Sequence, residues 1–356
     1  MRSLSLHVSR TIVALLLGTL LAAALTLTPA ALAHAPLAVG DNESLATATR
    51  VADPTKSWAV YAELHEGGEA QYYRFEAVRG DTIPLQLFTS PAEDSSGFVP
   101  TFAIMGPGVR DEGTAPTLLE RPPGAGVRIV PGAPSPDVSY EPFSPSAMRE
   151  IAGASLTVPQ DGTYHVAVYG NDRGGRYGLA IGSRESFTPA EWLTVPLFFT
   201  TVYSWEGQPL WRVYLPAALV VAAGLVLLTL RRRRTGRRLS PTGWTASLAG
   251  LLFIGSGATV AVQMVLALAR SGLDPGLVAT VFLAALPVGL GIWLLVLAER
   301  RAGVWSPGAR ALLAVLGVAG LIVWGGWLAG PALAVVAAVL PPWRHEPTGA
   351  AVESTA

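Results

Sequence analysis

Residues 213–230 (VYLPAALVVAAGLVLLTL) contain no charged side chain and run directly into Arg231, Arg232, Arg233 and Arg234, with Arg237 and Arg238 close behind. At about 1.5 Å of rise per residue, such a stretch spans roughly the hydrocarbon core of a bilayer. Arginines near a helix end resist translocation, so this loop marks the cytoplasmic face. Everything before residue 213 is then expected outside the cytoplasm, and most of the chain after it is expected within the cell membrane.

Composition narrows the classes further. Hydrophobic residues make up 51% of the chain and charged ones only 14%, and the formal net charge is zero, which leaves no basic surface for nucleic acid. Cysteine is absent, which removes disulfides, thiol catalysis and zinc–thiolate sites together. Residues 1–33 have the parts of a secretory signal: Arg2 and Arg10, an apolar run at 11–27, and the small-residue site Ala31-Leu32-Ala33. Cleavage there leaves His34 at the new N-terminus; an uncleaved anchor is the alternative.

Between residues 34 and 185 the pattern changes to short β-type runs separated by Gly, Pro, Asp and Asn. Residues 57–64, 70–78, 82–89, 101–105, 154–158, 163–169 and 176–181 are rich in aromatic and β-branched side chains with partial alternation. Turn chemistry lies between them, as in Arg79-Gly80-Asp81 and Gln160-Asp161-Gly162. Several short strands without an intervening helical period predict an all-β, antiparallel sandwich. The Pro- and Gly-rich segment 106–145 is expected as a long loop or a pair of weak edge strands.

Asp41-Asn42-Glu43-Ser44, Trp58 with Glu63-Leu64, Tyr72-Tyr73-Arg74-Phe75, Gly80-Asp81, Phe102 with Gly106-Pro107-Gly108, and Asp161-Gly162-Thr163-Tyr164 together resemble the bacterial pre-peptidase C-terminal domain. The resemblance implies a jelly-roll-like β-sandwich used for binding or as an accessory module. It also implies a calcium site near the acidic N-terminal segment, carried here onto Asp41, Asn42 and Glu43, with Asp172 a further oxygen donor.

Residues 186–212 read as an amphipathic juxtamembrane linker. Thr188 or Ser186 can cap a helix that has Pro189 at its start and Glu191 in its first turn. Its apolar face either lies in the headgroup region or packs on the β region. The membrane domain is expected over 213–340. Three apolar runs come after the first, at 245–269, 277–298 and 311–340. The loop after the second span carries only Arg270 and Asp274, while that after the third carries Arg300, Arg301 and Arg310. The alternation predicts an α-helical bundle of four spans, the last broken at Gly330-Pro331, with a disordered tail at 341–356 outside the cytoplasm. No ionisable residue lies inside these runs, which argues against a proton or ion path. Ser256, Thr259 and Gln263 are their polar cluster. Small residues at Ala285/Gly289 and Gly326/Gly330 would let helices, or a membrane-protein partner, approach closely.

The sharpest chemical lead is His34. A terminal amine and its imidazole can clamp copper, with His65 or His165 completing the site. No nucleophile elbow or phosphate loop accompanies the Ser, His, Asp and Gly residues, so no catalytic constellation is expected. The leading expectation is therefore a non-enzymatic, membrane-anchored extracytoplasmic binding or accessory protein. A copper- or calcium-handling protein is the alternative, and a transporter component a further one.

Overall fold

The computed structural model describes residues 34–93, 97–170, 172–301 and 305–341. The expected signal segment 1–33, Asn171, and the expected tail apart from Pro341 lie outside the described residues. The chain forms two compact units, one comprising Met1–Val213 with Val260–Leu283, the other Tyr214–Thr259 with Ala284–Ala356.

In the first unit, β1 (Ala35–Pro36), β3 (Trp58–Leu64), β11 (Gly175–Ile181), β5 (Thr82–Thr89), β9 (Ser146–Thr157) and β8 (Ser139–Glu141) form one sheet in that order. A second sheet runs β2 (Thr49–Arg50), β4 (Ala70–Ala77), β10 (Gly162–Tyr169), β6 (Thr101–Gly106) and β7 (Gly126–Val130). Both sheets are mixed. The two-residue strands β1 and β2 pair in parallel with β3 and β4, and every other pairing is antiparallel.

Side chains alternate across a strand, and β4 uses both faces. Tyr73, Phe75 and Ala77 enter a core shared with Val60, Leu85, Leu87 and Leu179 of the other sheet. Tyr72 and Ala70 face the opposite way into a smaller cluster with Met105, Leu119 and Val127. Full burial of each such aromatic is worth about 2 kcal/mol. The segment expected as a long loop or a pair of weak edge strands contributes the edge strands β7 and β8 and a cover over the second sheet. Asp111 holds this cover by accepting from the Val127 N–H at 2.8 Å and from Arg121 at 3.0 Å.

Helix α1 (Pro189–Trp205) begins with a capping box: Thr188 Oγ1 accepts from the Glu191 N–H at 3.2 Å, and Glu191 accepts from the Thr188 N–H at 2.7 Å. The helix packs on the β region. Tyr61 meets Phe198 and Trp205 edge-on, with ring centroids 5.3 and 5.0 Å apart, and Lys56 donates to Glu191 at 2.6 Å. Leu193 and Leu197 stay exposed on the other side.

Among the described residues three helices are long and apolar enough to cross a membrane: α2 (Leu210–Thr235), α3 (Pro241–Ser271) and α4 (Leu277–Arg300). The expected fourth span is two shorter helices, α5 (Pro307–Ile322) and α6 (Ala329–Val339). At about 24 and 16 Å, neither covers a hydrocarbon core of about 30 Å. They fold back on each other. Gly317 lies against Pro331, Ala334 and Val335, and Arg310, in the first turn of α5, donates to the Ala338 carbonyl at 3.0 Å and to that of Leu340. The break falls before the expected Gly330-Pro331, because proline is tolerated in the first turn of a helix. It lies at Val323–Leu328, where Trp324 (φ 51°), Gly326 (φ 65°) and Trp327 (φ 55°) adopt left-handed backbone. Consequently α6 ends beside the start of α5, whereas a fourth crossing would end at the opposite face.

Close approach of α3 and α4 runs through glycines other than those expected. A Cβ on Gly250 would meet the Gly291 carbonyl oxygen at 2.7 Å, and one on Gly257 the Ala284 oxygen at 2.5 Å, whereas Gly289 has nothing within 4 Å. Gly250→Leu is therefore expected to cost about 1–3 kcal/mol. Thermal unfolding in detergent checks this, with Gly289→Leu close to neutral.

Candidate functional site

The three candidate copper ligands lie apart. His34 sits at the entry to β1, buried, with Nδ1 2.6 Å from Ser57 Oγ; burial holds its pKa down at about 4. His165 is on β10 opposite Met105 of β6 and Arg74 of β4. Burial and then the Arg74 charge depress its pKa, against the pull of Glu76. His65 is exposed on the turn after β3.

The candidate calcium ligands also separate by role. Asp41 accepts from the Glu43 N–H at 3.4 Å, as a turn residue does. Asn42 is buried, its amide donating to the Tyr72 carbonyl at 3.4 Å and bonding the Tyr73 hydroxyl. That amide is directed into the core and away from solvent. The backbone of Asp172 packs against Gly67 on the turn between β3 and β4.

One member of each set does meet the other. Glu43 and His65 come together with Glu69, their ligand atoms all within 4.8 Å, the one such group of His and acidic residues among the described residues. Glu69 is held in place: it accepts from the His65 N–H at 2.5 Å and from Gln71 Nε2 at 2.8 Å. Gln71 in turn accepts from Tyr177 at 2.7 Å, and Tyr177 meets Tyr73 at 2.6 Å. A buried hydrogen-bond chain therefore leads from Asn42 through two core tyrosines to the Glu69 carboxylate. An imidazole and two carboxylates form a donor set for zinc or another divalent transition metal. In the sequence, Glu69 resembles a solvated edge beside Glu63 and Glu66; the turn that joins β3 to β4 folds it back onto His65, four residues earlier.

A second polar centre lies where the chain leaves the β region. Glu206, 4% exposed, accepts from the Ala147 N–H at 2.9 Å and from Gln208 at 3.0 Å, with Arg270 of α3 at 3.6 Å. Gln208 and Gln263 of α3 exchange two hydrogen bonds, at 2.8 and 3.0 Å. Nearby, the Thr280 hydroxyl of α4 meets the Tyr140 hydroxyl at 2.6 Å and donates to the Pro142 carbonyl at 2.7 Å. Gln263 thus bonds the linker, and Ser256 of the same expected cluster instead accepts from the Gly326 N–H at 2.7 Å. The clue overlooked in the sequence is a Glu-x-Gln pair between two apolar runs, flanked by Trp205 and Trp211.

Burial raises the Glu206 pKa, against the Ala147, Gln208 and Arg270 contacts. Burial, with Glu185 adding to it, pushes Glu141 up to about 7 despite the Phe143 N–H it accepts at 3.0 Å.

No known family model matches this chain, and no curated protein matches it in sequence.

Because Glu141 holds its proton longer folded than unfolded, it favours folding most below its ordinary value of 4.5. That contribution declines as pH rises to about 7. The change is on the order of 2–3 kcal/mol. His34 acts in the opposite sense, losing stability as pH falls from 6.5 toward 4. Glu141→Gln is therefore expected to gain stability relative to the parent chain between about pH 5 and pH 8. Paired thermal melts at several pH values measure this difference and cancel the His34 contribution.

Proposed function

We propose that this chain is a non-enzymatic, membrane-anchored binding or accessory protein of the cell membrane. In this reading its β region is a jelly-roll-like sandwich, related in kind to the pre-peptidase C-terminal domain, that stands outside the cytoplasm. The arginine-bearing helix ends face the cytoplasm, by the retention of guanidinium groups on that side. The chain then crosses three times and α5–α6 forms a re-entrant hairpin. The C-terminal tail, expected outside, is reassigned to the cytoplasmic face, because α6 ends beside the start of α5.

The observation that carries the functional reading is the buried contact of Glu206 and Gln208 with Gln263 and Arg270. A loosely tethered domain needs no such network. A module that presents a ligand or partner to membrane helices in fixed geometry does. Purification in mild detergent is expected to retain a membrane complex that Gln263→Leu weakens. A lone monomer with hydrolytic or transport activity overturns the reading.

A second reading, divalent metal binding, is favoured by Glu43, His65 and Glu69. The chemistry fits an imidazole–dicarboxylate set in place of the expected copper clamp at His34. Zinc titration of the full chain in detergent is expected to give one site. Glu69→Gln is expected to weaken it by about tenfold or more, and His65→Ala comparably. Undiminished binding in both variants refutes it.

A further inference from the structure

One end of the second unit gathers the C-termini of α2 and α4 with the start of α5. Arg232 of α2 reaches Glu299 of α4 at 2.8 Å, and the Trp305 indole donates to Ser240 Oγ, at the entry to α3, at 3.1 Å. Among the described residues this end carries nine arginines, at 231–234, 237, 238, 300, 301 and 310, against the single carboxylate of Glu299. Two of the nine have protein partners that hold them. Arg232 is 8% exposed on Glu299, and Arg310 caps the last carbonyls of α6. Arg231 comes no closer than 3.9 Å to the same Glu299. Arg233, Arg234, Arg237, Arg238, Arg300 and Arg301 are exposed and make no ion pair among the described residues.

Keeping a loop on one side of a membrane requires basic charge, but it does not require six guanidinium groups that pair with no acid among the described residues. Their mutual repulsion is relieved only by an anion, and guanidinium forks match phosphate oxygens in pairs. The depth of the group identifies the source of that phosphate. Leu227 and Leu230, 66% and 46% exposed, lie immediately before the run, so the cations begin where apolar lipid-facing surface stops. Trp244, 37% exposed in the first turn of α3, lies at the same end, as indoles do at headgroup level.

We propose that this end binds the phosphodiester headgroups of anionic phospholipids. The inference requires only that the second unit spans a bilayer, whichever compartment the end faces, so its failure leaves the orientation and the functional reading above untouched. The test uses the full chain in nanodiscs of phosphatidylcholine with and without phosphatidylglycerol, with native mass spectrometry counting retained lipids. Phosphatidylglycerol is expected to be enriched roughly tenfold over its bulk share, to raise the unfolding temperature, and to lose both effects in high salt. Replacing Arg233, Arg234, Arg237 and Arg238 by Gln is expected to abolish the enrichment. Should that variant fail to insert, Arg300→Gln with Arg301→Gln is expected to reduce it. Equal retention of the two lipids, unchanged enrichment in the variants, or reproduction of the stabilisation by inorganic phosphate in pure phosphatidylcholine overturns the proposal.

Discussion

Glu206 carries the transition from a water-facing β region to lipid-facing helices. A buried carboxylate survives only when its oxygens are bonded, since stripping it of water otherwise costs several kcal/mol. Here one oxygen takes the Ala147 N–H and faces Arg270, while the other takes the Gln208 amide. Gln208 is itself closed by Gln263. Each partner belongs to a different segment: the start of β9, the linker, and the far half of α3. No member can move without leaving another unbonded, so the network sets where α1 stops and where α2 begins. Trp205, edge-on to Tyr61 and donating to the Tyr177 carbonyl at 2.9 Å, closes the same corner from the apolar side.

In the second unit the governing constraint is the backbone itself. Peptide groups shielded from water must be bonded within the protein, so a break in a buried helix has to be supplied with partners. The turn between α5 and α6 meets that demand locally. The Gly325 N–H bonds the Gly320 carbonyl at 2.8 Å, and the Gly326 N–H bonds the Ser256 hydroxyl. The Phe253 ring fills the space that side chains at Gly320, Gly325 and Gly330 would occupy. Two tryptophans held at positive φ mark stored backbone strain of about 1–3 kcal/mol each, tolerated because Phe253 and Ser256 hold the inner side of the turn.

These contacts explain which features are legible in the amino-acid sequence. Strands such as residues 163–169 are visible because Tyr164, Val166 and Val168 alternate with residues of the other face. The strands β7 and β8 are legible only as weak edge strands, because their neighbours are Pro and Gly, while the cover over the second sheet is hidden because its contacts are tertiary, as at Asp111 and Arg121. Three helices are legible as unbroken apolar runs. The reversal between α5 and α6 is not, since hydropathy records no direction and left-handed tryptophans have no sequence signature. In the metal-capable group, Glu43 and His65 attract attention singly; Glu69 joins them through the turn between β3 and β4, whose shape the sequence does not record. For His34 the chemistry of a free terminus is legible in the sequence, while its contact with Ser57 is not.

Lys56 is the sole lysine of the chain. Its ammonium, 8% exposed, lies between the Glu191 carboxylate and the Trp58 ring, 4.2 Å from the ring centroid. Reagents that acylate amines therefore find a single ε-nitrogen here, clamped in a salt bridge that joins α1 to the edge of β3. Its reactivity would report directly on how often that clasp opens, giving a built-in gauge of local breathing that needs no engineered label.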